Sequence, residues 1–358
     1  MNDTIHGGDI FTNSVELDFS VNVNPLGMPE AVKKAIITGI AKDETYPDLF
    51  CRKLILALSE KEQIAQSQIL CGNGASELIM AAVRAIRPKR CAVPAPAFSG
   101  YERAVYAAGA GVDYYNLSAD SGYGYENVWE QIGTMEVQML FLCNPNNPIG
   151  NRISEEELCR LLKFCQQQNI VVLVDECFLR FHKEYEQISC KRFLKDYKNL
   201  VVFNAFTKFY AMAGIRLGYL MTANETILEK IAQQLPEWNI SSVAQRAGIA
   251  ALTEKGYEEQ TRTLVYEERA YLMNSLKMLG CLPFASEADF ITFMLPPQKR
   301  HIDLKKALLM EKILIRSCET YRNMPQGCYR IAVKKHLENE RLIAAIQAVL
   351  SEQDTTQK

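Results

Sequence analysis

Five short apolar runs, separated by amphipathic stretches, constrain the fold of this chain more than any other feature. They are RCAVPA (90–95), VQMLFLC (137–143), IVVLVDE (170–176), LVVFNAF (200–206) and LGYLMT (217–222). Runs of this length without polar alternation suit strands covered on both faces. Helical patterns lie between several of them, at ASELIMAAVRAI (75–86), YERAVYAAG (101–109) and SEEELCRLLKFCQQQN (154–169). The last opens with Ser154 and Glu157 at capping-box spacing. Buried strands alternating with helices predict an α/β fold with a mostly parallel, doubly wound sheet. Beyond about residue 240 the texture changes: 242–279 reads as helical, and DFITFML and YRIAVK read as two shorter strands, which predicts a smaller α+β domain.

Composition narrows the function classes. The 358 residues are 48% hydrophobic and 23% charged, enough to bury a sizeable core. A net charge of −2 gives no reason to expect nucleic acid or an anionic membrane as partner. No apolar run reaches the ~18 residues of a membrane span, and MNDTIHGGDI lacks the basic and apolar regions of a signal peptide. Eleven scattered cysteines, none in a C-x-x-C pair, suit reduced thiols rather than a disulfide frame or a metal site. A cytoplasmic protein without a bound metal is the expectation.

In open α/β sheets ligands bind at the carboxyl ends of the strands, and the residues there are unusual. LCGNGASE (70–77) places two glycines at the start of a helix, where free N–H groups favour a phosphate, although such turns are common without one. CNPNNPIG (143–150) makes a rigid loop with free side-chain amides, which by itself also reads as a β-turn. Asp175 and Glu176 end one strand where it meets the cleft. Lys208 and Arg216 follow the next strand, in FTKFYAMAGIRLGY, with no acid close by in sequence. Burial disfavours a charged lysine, and a neutral amine can attack an aldehyde. An acid for a pyridinium nitrogen, a phosphate cradle and an aldehyde-binding lysine are what a pyridoxal phosphate enzyme needs.

With these motifs in this order, the chain resembles the fold-type I, class I/II aminotransferase family from about residue 16 to residue 349. The resemblance implies pyridoxal 5'-phosphate as cofactor, with Lys208 holding its aldehyde and Arg216 its phosphate. It implies that Asp175 keeps the ring nitrogen protonated, that Asn147 bonds the ring hydroxyl and that Phe98 stacks on the ring. Gly74, Ala75 and Ser76 would form the phosphate loop, with Thr207 beside them, and Tyr46 would reach the cofactor of a neighbouring subunit in a homodimer with shared active sites. An N-terminal segment (1–45) packing with the small domain, a large cofactor-binding domain (46–240) and a C-terminal small domain (241–358) are implied in turn. Two positions depart from the family: Ala205 stands where Ser or Thr is usual, and Phe178 where many members have Tyr.

HGGDI, LDFSVNVNPLGMP (17–29) and ILIRSCETY (313–321) are similar to the branch of the family that decarboxylates O-phospho-L-threonine for cobalamin biosynthesis. A phosphorylated amino acid, phosphothreonine or phosphoserine, is then the implied substrate, bound by Arg316 and Arg330. His6 and Asn24 line the pocket in this reading, or else only cap and fix loops. Histidinol-phosphate aminotransferases share the cofactor motifs and are the alternative.

Overall fold

The computed structural model describes residues 7–355. The N-terminal part carries β1 (Leu17–Asp18), α1 (Glu30–Gly39), α2 (Arg52–Glu62) and β2 (Ile69–Gly72). Helices and strands then alternate through α3 (Ala75–Ile86), β3 (Arg90–Ala95), α4 (Ser99–Ala107), β4 (Gly111–Asn116), α5 (Val128–Gly133) and β5 (Met139–Cys143). The alternation continues with α6 (Glu155–Gln167), β6 (Val171–Asp175), α7 (Tyr185–Ile188), β7 (Leu200–Ala205), α8 (Phe206–Phe209) and β8 (Gly218–Met221). Next come α9 (Glu225–Ala232), α10 (Ser242–Thr253), α11 (Tyr257–Met278), β9 (Leu282–Pro283), β10 (Phe290–Met294) and α12 (Leu304–Met310). β11 (Ile313–Leu314), β12 (Arg316–Ser317), β13 (Cys328–Ala332) and α13 (His336–Thr355) complete the described chain.

Seven strands form the central sheet in the order β2-β8-β7-β6-β5-β3-β4. The pairs from β4 through β7 are parallel, whereas β8 runs antiparallel to both β7 and β2. The 206–217 connection carries only the four-residue α8 and no crossover helix of the kind that usually joins parallel neighbours. Each face of the sheet has its own core. Leu140, Leu142, Val172 and Val174 pack against Leu158, Leu161 and Leu162 of α6. Met139, Phe141, Leu173 and Phe203, pointing the other way, pack against α3 and α4. That two-sided burial is why these strands read as continuous apolar runs.

α6 shows how local sequence sets an element. Its buried residues 158, 161, 162 and 165 recur at helical spacing, and the Ser154 hydroxyl accepts the Glu157 N–H at 3.2 Å. Only half of the expected capping box forms, because the Glu157 carboxylate turns outward to the Arg160 guanidinium at 2.8 Å.

A four-stranded sheet, β12-β13-β10-β9, and the short β1–β11 pair make the smaller unit. Its core joins Phe19, Leu272, Ile291, Phe293, Ile331 and Leu342. The change of texture at residue 240 does not mark a change of core: Ala244, Ala247 and Ala251 of α10, and Val265 of α11, pack with the large sheet. The eleven cysteines are free, and no helix among the described residues is long and apolar enough to cross a membrane.

Below the sheet lies a fully buried charge cluster. Glu62, at the end of α2, has a side chain that is 0% exposed. Its carboxylate accepts from Arg180, from Lys191 at 2.8 Å, from the Tyr185 hydroxyl at 3.0 Å and from the Tyr219 hydroxyl at 2.6 Å. Asn204 of β7 adds a bond to the Tyr185 hydroxyl at 3.2 Å. The cluster thus ties α2 to two neighbouring strands. Burial alone would raise the Glu62 carboxyl, but the charges of Arg180 and Lys191 outweigh it and hold it down to about 2. Removing the acid takes the buried counter-charge from two cations that keep only Glu186, for Lys191, and Glu258 at 3.5 Å, for Arg180, so Glu62→Gln is expected to cost about 3 kcal/mol of unfolding free energy at neutral pH, measured by urea denaturation. Because the folded carboxyl lies below its ordinary value of 4.5, its contribution is complete above that pH and is lost as pH falls towards about 2. The Gln variant should lack that share of the acid slope.

Candidate active site

The carboxyl ends of β5, β6 and β7, the start of α3 and one strand of the smaller sheet surround a cavity of about 500 Å³. That volume falls within the usual range for a small-molecule site. Each wall has a local cause. The Phe206 N–H bonds the Leu217 carbonyl at 3.0 Å, closing the 206–217 connection into a loop that presents Lys208 and Arg216 to the same space. Arg216 holds φ +60°, uncommon for a residue with a side chain. Gly218 then starts β8 against α3, where a Cβ would come within 2.5 Å of the Ala75 nitrogen. Gly74 has φ +82°, and a Cβ there would meet the Arg216 guanidinium at 2.7 Å. Only glycine lets the loop and the helix start approach this closely.

Lys208 lines the cavity, and its Nζ lies 5.7 Å from the Phe178 ring centroid. Burial pushes its ammonium below the ordinary lysine range; Asp289 opposes this, and Arg330 and Arg216 add to it. Among the described residues its Nζ makes no hydrogen bond and Arg216 has no acidic partner. Arg216 donates to the Ala213 carbonyl at 3.3 Å. Ala75, Ser76, Ala205 and Thr207 line the cavity on the same side, and Glu77 folds back to accept the Asn73 N–H at 2.7 Å. The open N–H groups at the start of α3 and an arginine without an acid fit a dianionic phosphate. A dry lysine amine beside them fits an aldehyde, so the donor set suits pyridoxal 5'-phosphate.

Asp175, at the end of β6, accepts the Tyr101 hydroxyl at 2.7 Å and the Cys177 N–H at 3.0 Å. Phe98 enters the cavity with its ring edge-on to Tyr101, centroids 5.6 Å apart. Asn147 accepts from Arg330 Nη1. Arg330 also donates to the Tyr321 hydroxyl at 3.3 Å and the Ser20 carbonyl at 2.9 Å, while its buried Nε has no partner among the described residues.

Several expected site residues lie elsewhere. Arg316 is the register partner of Arg330 across β12–β13, but it opens onto a small adjoining cavity with Phe98, Ser99, Tyr321 and Arg322. Its Nη2 donates to the Thr320 hydroxyl at 2.9 Å, and its Cζ lies 5.4 Å from the Tyr321 ring centroid. Asn24 does not line the cavity: its Nδ2 donates to the Phe209 carbonyl and the Thr261 hydroxyl, each at 2.7 Å, and its Oδ1 accepts the Leu26 N–H at 2.9 Å. With both ends of the amide used, it fixes a loop. Glu176 does not emerge in the cleft. The pleat turns it the opposite way from Asp175, into bonds of 2.6 Å from the Ser189 hydroxyl and from the Cys190 N–H. Tyr46 is 79% exposed and stacks on Trp238 with centroids 4.7 Å apart, away from this cavity. His6 lies outside the described residues.

Sequence reasoning missed Tyr101, Tyr321, Asn22 and Asp289. Tyr101 sits three residues beyond Phe98, a helical spacing that could have pointed to it. Asn22 lines the cavity, and Asp289 is a fully buried acid whose charge opposes the lowering of the Lys208 ammonium. Neither carries a local signal, since each arrives from a distant part of the chain.

Residues 14–346 match the aminotransferase class I and II family. The chain is 34% identical to threonine-phosphate decarboxylase of Salmonella typhimurium over 336 residues, 94% of this chain and 91% of that protein. It is 30% identical to histidinol-phosphate aminotransferase of Caldicellulosiruptor saccharolyticus over 92% of this chain and 90% of that one. The crystal structure of the histidinol-phosphate aminotransferase from Clostridium acetobutylicum superposes with a TM-score of 0.87 at 30% identity, covering 94% of this chain and 99% of that one. On the matched span, the shared fold and these similarities, the chain belongs to the aminotransferase class I and II family.

Proposed function

We propose that the protein uses pyridoxal 5'-phosphate to decarboxylate O-phospho-L-threonine, or O-phospho-L-serine, giving an amino alcohol phosphate for cobalamin biosynthesis. The carrying observation is the pair Arg316 and Arg330, buried register partners that open onto two adjoining cavities. Two guanidiniums suit a substrate with two anionic groups, a carboxylate and a phosphate. The similarity to threonine-phosphate decarboxylase supports the same reading.

When bound, the cofactor supplies a conjugated sink for the electron pair released at the substrate α-carbon. The chain's own groups do the rest. Lys208 offers an amine that burial keeps towards its neutral, nucleophilic form. Asp175, oriented by Tyr101 and the Cys177 N–H, presents a carboxylate to the cofactor's ring nitrogen. Gly74, Ala75, Ser76, Thr207 and Arg216 hold the cofactor phosphate, Asn147 meets its ring hydroxyl, and Phe98 covers the ring. Arg330, which lines the same cavity as Lys208, would hold the substrate, and Arg316 would take the second anion. The two guanidiniums would set which substrate bond is presented to the cofactor that Lys208 and Asp175 would hold. After carbon dioxide leaves, Lys208 Nζ returns a proton to the α-carbon.

A homodimer with shared sites completes this reading. Ile37, Ile40, Phe50 and Trp238 are more than 40% exposed, and Tyr46 lies among them. That much exposed apolar surface suits burial against a second copy. Tyr46 would then reach the partner's cofactor phosphate. The free cysteines favour a cytoplasmic setting.

Borohydride reduction of the cofactor-loaded protein should trap the adduct on Lys208, and Lys208→Ala should lose it; an adduct on another lysine contradicts the assignment. Arg330→Ala should lower kcat/KM for phosphothreonine on the order of a hundredfold, since a ~1 Å misplacement costs that much, while cofactor absorbance is kept. Tyr46→Phe should weaken cofactor binding by about 1.5–3 kcal/mol, and a dilute monomer with full affinity would refute the shared site. Carbon dioxide release from phosphothreonine decides the reaction. Fast glutamate-dependent amination of imidazole-acetol phosphate, with no carbon dioxide from either phospho-amino acid, would assign the aminotransferase instead.

A further inference from the structure

Arg316 and Arg330 meet on one face of the smaller sheet as register partners of β12 and β13. Side chains so placed leave the backbone only about 4.5–5.5 Å apart, and like charges directly opposite repel. One residue touches both guanidiniums. The Tyr321 hydroxyl accepts from Arg330 Nη1 at 3.3 Å, and Arg316 Cζ lies over the Tyr321 ring, 5.4 Å from its centroid. A ring face carries partial negative charge and attracts a cation. The same phenol therefore offers each arginine a neutral contact of a different kind.

Its position follows from the turn after β12. The Tyr321 N–H bonds the Cys318 carbonyl at 2.9 Å, and the Met324 N–H returns to the Tyr321 carbonyl at 3.3 Å. Thr320, the preceding residue, accepts from Arg316 Nη2 on its hydroxyl at 2.9 Å, so two consecutive turn residues hold the two arginines. The Tyr321 ring is only partly buried and belongs to none of the three apolar cores among the described residues. Core packing does not account for it. Tyr321 instead lines both cavities, the larger with Arg330 and the smaller, of about 70 Å³, with Arg316. Arg316 and Arg322 both line the smaller one, against one acid, Glu102, which accepts the Tyr114 hydroxyl. Arg330 occupies one lone pair of the Tyr321 hydroxyl, but the O–H itself donates to no acceptor among the described residues. A phenol O–H left over beside a guanidinium suits an anionic oxygen that the same guanidinium grips.

We propose that Tyr321 is a specificity-determining residue whose phenol divides the site into two anion seats. Its O–H donates to the carboxylate that Arg330 grips, and its ring backs Arg316 for the phosphate. The division rests on the reading of Arg316 and Arg330 as the two anion clamps. A ligand then makes every contact only when it carries two anions spaced to reach both sides of one phenol. An amino acid with a phosphate ester on its β-oxygen meets that requirement, and the same amino acid without phosphate leaves Arg316 unused. The partition thus selects for the phosphorylated form.

The test uses the cofactor-loaded protein and two probes without an amine, so that no reaction follows binding. One is the phosphate ester of 3-hydroxypropionate, which keeps both anions; the other is ethyl phosphate, which lacks the carboxylate. Dissociation constants are read from line broadening in phosphorus NMR. Tyr321→Phe keeps the ring and loses the hydroxyl. In it the two-anion probe should bind about tenfold more weakly, as expected for one lost hydrogen bond to a charged group, while ethyl phosphate binds as in wild type. In Tyr321→Leu the ring is lost too, and ethyl phosphate should weaken as well. An unchanged constant for the two-anion probe in the Phe variant overturns the proposal. So does equal weakening of both probes in that variant, the mark of a merely structural role, or unaltered ethyl phosphate binding in a folded Leu variant. Should the Leu variant fail to fold, the Phe comparison decides. If the probes separate as expected while phosphothreonine releases no carbon dioxide, the two seats stand and the decarboxylase reading falls.

Discussion

The closed loop between β7 and β8 is the constraint on which the site depends. One main-chain bond, from the Phe206 N–H to the Leu217 carbonyl at 3.0 Å, fixes where the loop begins and ends. Inside it Lys208 and Arg216 project to one side, and at its exit Gly218 allows β8 to start against the first residue of α3. The residues proposed to hold the cofactor's aldehyde and its phosphate therefore share one piece of backbone. The left-handed φ of Arg216 is the local strain that this geometry carries.

Two buried charge clusters in the same chain illustrate opposite electrostatic designs. Around Glu62 every charge has a partner: two cations and two hydroxyls converge on one carboxylate. At and near the cavity, by contrast, Asp289, Asn22 and the Nε of Arg330 are buried yet lack partners among the described residues. The first arrangement can only hold elements together. The second leaves binding capacity for something brought from outside, which is where a folded chain departs from full internal satisfaction.

Much of this was legible in the sequence because the signals were local. The buried strands announced themselves as apolar runs, and α3 was read with the boundaries it has, Ala75–Ile86. The motif lysine, arginine and aspartate came from the same stretches. What escaped was nonlocal or short. β2 has four residues, and β4, GVDYYN, is half-buried with Tyr115 alone facing inward, so neither makes a continuous run. The antiparallel direction of β8 goes with a linker that carries no crossover helix rather than with strand composition. Asn24 reads equally as a pocket residue or a loop-fixing one, and the partners that decide for the loop, Phe209 and Thr261, are far away in sequence. Glu176 is separated from Asp175 by one step of the pleat, which sends neighbouring carboxylates to opposite sides.

The strand order also governs how the chain can be made. β2 leaves the ribosome early, yet its only partner in the sheet is β8, and Ile69 must wait for Met221. β1 waits longer still, because Leu17 pairs with Ile313. During synthesis both segments carry unpaired edges while the parallel strands between them assemble. Pairings this distant carry a loop-closure cost before they return any stability, so folding should be slow and open to misassembly for chains of this length. The β10–β13 and β12–β13 pairings come later still and bring Arg330 into the cavity wall. The complete cavity wall therefore exists only once nearly all of the described chain has been made.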